Sequence, residues 1–315
     1  MFEFCARSPA TRPGGSWLTS DVDRQPTLAR RFFERLEPVH AITYFAPEAR
    51  SALDGLGYKS FWMGYFAARS APLGVVPAEV VTAAFYNFAP HRVAKALPAA
   101  WDVAAPADAL RARLESAVAA LKRYGVGDGD DVTVAADLAA EVARNASVDG
   151  RPLFAANAAL PWPDEPLAKL WHATTLLREQ RGDGHVAVLL AHGISGRESN
   201  VLHAAAGRVP REMIMRSRDY DDEQWRFYED RLASRGLLRG GGLTDAGRDL
   251  KQRIEDCTDT LALPALDALD DDEVEALFRA LTPITRKVIA GGDLPVATPM
   301  GLSRDDLDDD SAHLA

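Results

Sequence analysis

The stretch RLASRGLLRGGGLTDAGRDL, Arg231–Leu250, decides the fold. Its first residues continue a helical pattern, and Gly236 is the residue type that most readily takes the left-handed turn ending a helix. Leu238 and Leu243 bracket Arg239 and three glycines, which is enough chain for a very short β-ribbon. Thr244 then offers a hydroxyl to cap the next helix. The order predicted is helix, glycine stop, ribbon, capped helix.

A second copy of this order lies upstream. LKRYGVGDGDDVTVAADLAAEV, Leu121–Val142, aligns with Leu232–Arg253 at a constant offset of 111 positions. Leu121 pairs with Leu232, Gly125 with Gly236, Val126 with Leu237, Val132 with Leu243 and Thr133 with Thr244. Further upstream, GVVPAEVVTAAFYNFAPHRV from Gly74 resembles GISGRESNVLHAAAGRVPREM from Gly193. The identities are few, so shared helical periodicity is the competing explanation. Duplication predicts two related halves in one chain.

Length agrees with two halves. A chain of 315 residues exceeds the roughly 250–300 at which a single core stops growing. Hydrophobic residues make up 47% and charged residues 26%, the composition of a chain that folds. Short helices punctuated by proline and glycine fill residues 26–150, with Pro47, Pro77, Pro90 and Pro106 at or near helix starts. Residues 151–166 hold four prolines and are the expected linker. A second helical series fills 167–290, including separate helices over LAKLWHATTLLREQ and HVAVLLAHG. Residues 1–25 are expected as an N-terminal arm and 291–315 as a mobile acidic tail. The fold class expected is mainly α, two tandem winged-helix-like halves with short β-ribbons.

The segment Leu232–Leu250 resembles the wing of MarR-type winged-helix proteins, in which a helix ending L-x-x-x-G-L leads through a β-ribbon to L-T-x-x-G. Here those positions are Leu232, Gly236, Leu237, Leu243, Thr244 and Gly247. The chain from about residue 26 to 290 resembles the SalK-like helix-turn-helix family of actinobacteria. Its landmarks are EPVHAITYF (Glu37–Phe45), GYFAARSAPLG (Gly64–Gly74), NFAPHRVAKALPAAW (Asn87–Trp101) and IEDCTDTLALPAL (Ile254–Leu266). The resemblance implies architecture and no defined reaction. Two departures from a DNA-reading MarR protein stand out. Only four residues lie between Leu238 and Leu243, and the candidate recognition helix opens with Asp221, Asp222 and Glu223 where base edges would be approached.

A net charge of −10 also opposes a phosphate backbone, because nonspecific affinity comes from lysine and arginine displacing counterions. Nucleic acid is therefore a disfavoured partner. Cys5 and Cys257 are the only cysteines and are far apart, which fits a reduced cytoplasm. No stretch nears the roughly 18 apolar residues that cross a membrane, and the N-terminus lacks a signal-peptide core.

The densest aromatic and polar grouping is in the first half: His40, Tyr44, Trp62, Tyr65, Arg69, Phe85, Asn87 and His91. His40 with Tyr44, and Tyr65 with Arg69, are four residues apart and share helix faces. A guanidinium on so apolar a helix needs an anion, so Arg69 either grips a ligand carboxylate or phosphate between aromatic walls, or pairs internally with Glu37 or Glu48. The seven histidines form no metal-ligand motif, and no catalytic set or cofactor fingerprint is discernible. Ser195 reads as a helix cap with Glu198 completing a capping box, and Asp259 as a bond across the halves. The reading favoured is a non-enzymatic protein with a small-molecule ligand in the aromatic pocket, either between the helices of the first half or at the junction of the halves. Its rivals are an enzyme of specialised metabolism using Arg69, His40 and Tyr44, and a DNA-binding regulator.

Overall fold

Proline stands in the first turn of helix after helix, where its missing N–H forfeits no bond. This holds for α1 (Pro26–Phe45), α2 (Pro47–Gly55), α5 (Pro90–Ala96), α6 (Pro106–Arg123), α8 (Pro152–Ala158) and α9 (Pro166–Ala191). The remaining helices are α3 (Phe61–Ser70), α4 (Ala78–Phe85), α7 (Asp130–Asn145), α10 (Gly196–Ala205), α11 (Arg211–Arg218), α12 (Asp222–Ser234), α13 (Asp245–Ala262) and α14 (Asp271–Ala290). The computed structural model describes residues 24–127, 129–207, 209–295 and 307–314. The chain is mainly helical.

Helices α1, α6, α7, α9 and α14, with the turn Leu263–Ala268, enclose the central core. Ala135, Ala136, Ala139, Ala140 and Ala143 line the inner face of α7, and side chains this small let it lie close against its neighbours. Two smaller cores flank this centre. One gathers Phe66, Val81, Phe85, Phe88, Val93 and Leu97 from α3–α5 and the turns after α4 and α5. The other gathers Val201, Ile214, Trp225, Leu232, Leu250 and Ile254 from α10–α13. The first half supplies one flank, the second half the other, and both build the centre.

The stretch Arg231–Leu250 folds as its residues dictate. Gly236 is left-handed at φ 74°, and the Leu237 N–H closes back on the Leu232 carbonyl at 3.0 Å. Strands β1 (Leu238–Arg239) and β2 (Gly242–Leu243) pair antiparallel, with Leu238 opposite Leu243. Thr244 then caps α13 by accepting the Gly247 N–H at 3.1 Å.

At the upstream copy the glycine stop recurs: Gly125 has φ 78°, and the Val126 N–H reaches the Leu121 carbonyl at 3.0 Å. The agreement ends there. No strand forms around Val126–Val132 among the described residues, so the ribbon is confined to the second half. Thr133 is inside α7 and caps nothing; α7 starts at Asp130 behind Gly129. Asp130 and Asp131 sit on the positive end of the helix dipole, which lets the helix run back over residues that would otherwise pair as a ribbon.

Two further expectations change. LAKLWHATTLLREQ and HVAVLLAHG are one helix, α9, running through Gly182 and Gly184. Each interior glycine costs about 1 kcal/mol relative to alanine. Burial on every face from Leu167 to Gln180, and the Asp183 carboxylate accepting the Phe154 N–H at 2.9 Å, outweigh that cost. Residues 151–166 are not bare linker, since they contain α8, whose Leu153, Phe154 and Asn157 are buried.

Most of the arm expected over 1–25, and residues 296–306 of the expected tail, lie outside the described residues. Residues 307–314 lie against the central core. Arg31 donates to the Ser311 and Ala312 carbonyls at 2.7 and 2.6 Å, and Arg35 donates to the Asp309 carbonyl at 2.7 Å. Among the described residues no helix is long and apolar enough to cross a membrane.

Candidate functional site: a cavity between the flanks

A cavity of about 1180 Å³ opens where the two flanking cores meet α9. Trp62 and Tyr65 of α3, Phe85 of α4 and Phe88 form its aromatic wall. Opposite them stand Asn200 and His203 of α10 with Ser217 and Arg218 of α11. The floor is α9, which contributes Arg178, Glu179, Arg181 and His185, and Lys251 and Glu255 of α13 close the far end.

A ladder of buried charge runs under the aromatic wall. Arg69 donates to both oxygens of Glu179, from Nε at 3.1 Å and Nη2 at 3.0 Å. Arg178 meets Glu179 Oε2 at 2.8 Å, and its Nε lies 3.4 Å from Glu37 Oε2. Burial alone would raise Glu179, yet Arg178 and Arg69 together hold it well below the usual carboxylate range. Glu37 has only the longer contact with Arg178, too weak to offset burial, which pushes its carboxyl up to about 7.

Six of the eight residues singled out from the sequence line the cavity: Tyr44, Trp62, Tyr65, Arg69, Phe85 and Asn87. Arg69 is neutralised by Glu179, not by Glu37 or Glu48; Glu48 pairs with Arg123 on the surface. His40 sits one layer back, stacked on Trp171, with Nδ1 3.0 Å from Thr175 Oγ1 and Nε2 3.0 Å from Tyr44 Oη. Burial holds it well below the usual histidine range. His91 is exposed on α5 and pairs with Asp219 at 2.7 Å. Asn87 contributes its backbone carbonyl, which accepts from Asn200 Nδ2 at 2.9 Å.

That bond is one of several joining the flanks at the cavity. Tyr86 takes φ 53°, a conformation costly for a residue with a Cβ, and donates its hydroxyl to the Ile194 carbonyl at 2.5 Å. Arg92 of α5 reaches Asp219 at 3.0 Å and lies over the Trp62 ring. Ser195 and Glu198 form the expected capping box at the start of α10. Asp259 accepts from Arg30 of the first half at 2.6 Å, the bond across the halves that was anticipated, and from Arg181 of its own half at 2.6 Å.

Sequence reasoning named no second-half residue as a ligand contact in the cavity. Arg218 lies in RSRDY, which reads as a solvated basic run, and no local pattern signals that the end of α11 turns inward. Neither His185 nor His203 was recognised as lining a cavity. Each lines the cavity, and burial lowers each to about 4.

The chain matches the model of a helix-turn-helix family over residues 29–295, and it belongs to that family. This membership suggests a regulator-like protein. No curated protein and no solved structure matches it.

Proposed function

We propose that this chain is a small-molecule-binding, non-DNA-reading member of its helix-turn-helix family, built from two tandem MarR-like halves fused so that the cavity lies between them. The observation that carries this reading is the cavity itself, whose walls come from α3 and α4 on one side and α10 and α11 on the other. A ligand there touches both flanks at once, and differential contact with two bodies is what lets a ligand bias their relative position. The cavity exceeds the roughly 300–1,000 Å³ of common ligand sites, and it sets an aromatic wall against a strongly charged floor.

Against DNA reading stand the exposed Asp221, Asp222 and Glu223 at the start of α12, and a ribbon with two residues in each strand. Carboxylates at that position repel phosphate, and so short a ribbon has little reach into a groove.

A thermal-shift screen against metabolites tests the ligand reading. A bound compound at about 100 times its Kd adds roughly 2.7 kcal/mol of stability. Ala206→Trp, which fills the cavity, abolishes the shift. Shifts that survive this substitution, or none across the screen, overturn the reading. Fluorescence anisotropy with random duplex at low salt tests the other half, and submicromolar binding there sinks it.

A further inference from the structure

Among the described residues six arginines line the cavity, and five of them meet carboxylates. Arg30 and Arg181 share Asp259, Arg69 and Arg178 share Glu179, and Arg248 pairs with Asp245. Arg218 has no ion pair among the described residues. Its Nε is buried without a hydrogen-bond partner, and its guanidinium lies over the Phe88 ring, 4.3 Å from the centroid. The nearest acid in sequence, Asp219, is already taken by His91 and Arg92.

We infer that Arg218 is the anion receptor of the cavity, and that the ligand is a small organic anion with a flat, apolar body lying against Trp62 and Tyr65, the half-buried rings of the aromatic wall. This deepens the cavity reading and rests on it. A half-buried cation without an ionic partner carries a desolvation cost, and a ligand carboxylate, sulfonate or phosphate offsets it. Burial, with Arg69 and Arg92 nearby, pulls the Arg218 pKa down to about 10, the direction expected of a cation lacking its counter-charge. Its backbone is held in place, because the Arg218 carbonyl accepts from Arg197 Nη1 at 2.5 Å. The planar guanidinium, resting on the Phe88 ring, presents a fork suited to two-point contact with an oxyanion. Because Arg218 ends α11 and the aromatic wall belongs to the other flank, charge and ring of one ligand engage different halves.

The test uses two probes that share a ring system and differ in charge: 1-anilinonaphthalene-8-sulfonate and neutral N-phenyl-1-naphthylamine. Titration calorimetry on the full chain is expected to give the sulfonate at least tenfold tighter binding, as a charge-assisted hydrogen bond implies. Arg218→Met is expected to erase that preference and leave the neutral probe unchanged, while Arg218→Lys keeps part of it. The melting temperature of Arg218→Met should equal or exceed that of the parent, since an uncompensated charge is removed. Equal affinities for the two probes in the parent, or a sulfonate preference that survives Arg218→Met, overturn the inference and leave the cavity reading standing. Failure of both probes to bind, or binding of both unaffected by Ala206→Trp, overturns the cavity reading and this inference with it.

Discussion

Arg69 and Glu179 are 110 residues apart in sequence and form a two-point ion pair with almost no contact with water, tying α3 to α9 beneath the cavity. Breaking such a pair from one side strands a buried charge, which costs about 3–5 kcal/mol. Arg69→Met and Glu179→Gln should each lower stability by roughly that amount. The double variant Arg69→Met/Glu179→Met should recover only part of the loss, because Arg178 then keeps only its longer contact with Glu37. Urea denaturation of the four proteins measures this; losses that simply add would show that the two residues act separately.

Glu37 sets a pH dependence of opposite sign to the usual carboxylate. Its folded-state pKa is raised, to about 7, so between the ordinary carboxylate range and neutrality the folded chain holds a proton the unfolded chain has released. Stability therefore falls as pH rises through that window. Asp183, pushed up to about 6 by burial, adds to the slope in the lower part of it. Glu37→Gln mimics the protonated form. It should leave stability at pH 5 nearly unchanged and raise it at pH 8 by about 1–3 kcal/mol, read from denaturant midpoints at each pH.

Local chemistry was legible wherever a residue answers to its neighbours in sequence. Gly236, Thr244 and the Ser195–Glu198 box act as read, and the stop at Gly125 repeats that at Gly236. The register beyond Gly125 was not legible, because whether a few residues form a ribbon or another helical turn depends on Asp130 and Asp131 at the helix start. Charge partners were hardest. Arg69 was expected to find Glu37 or Glu48, the acids near it in the chain, whereas α9 brings Glu179 to it from the other half. Arg218 shows the same limit from the other side. An arginine's partner, or lack of one, is a tertiary fact, and the sequence around it carries no trace of which neighbours are already taken.

Gly196 opens α10 against the strained Tyr86. A Cβ built there would lie 2.0 Å from the Tyr86 carbonyl oxygen. Elsewhere in a helix glycine-to-alanine gains up to about 1 kcal/mol. Here the sign should reverse, with Gly196→Ala costing about 1–3 kcal/mol through backbone displacement. Gly182→Ala, whose added Cβ would meet nothing nearer than 3.6 Å, is the control and should stabilise. Melting temperatures of the two variants moving in the same direction would rule out the steric account.

The C-terminal residues bear on stability through Arg31 and Arg35 of α1. Arg35 is fully buried and donates to Thr282 Oγ1 at 2.9 Å as well as to the Asp309 carbonyl, and Glu275 of α14 accepts the Ala312 N–H at 2.9 Å. Leu307 and Ala312 are buried against the same two helices. A chain ended after Pro295 exposes that apolar surface and leaves the arginines to find water in place of fixed carbonyls. Each lost hydrogen bond to a charged group is worth about 1.5–3 kcal/mol before relaxation. The shortened protein should therefore unfold at clearly lower urea, and hydrogen exchange should quicken along α1 and α14 while α10–α13 stay as protected as before. Uniform exchange throughout, with an unchanged midpoint, would mean that the segment packs without contributing.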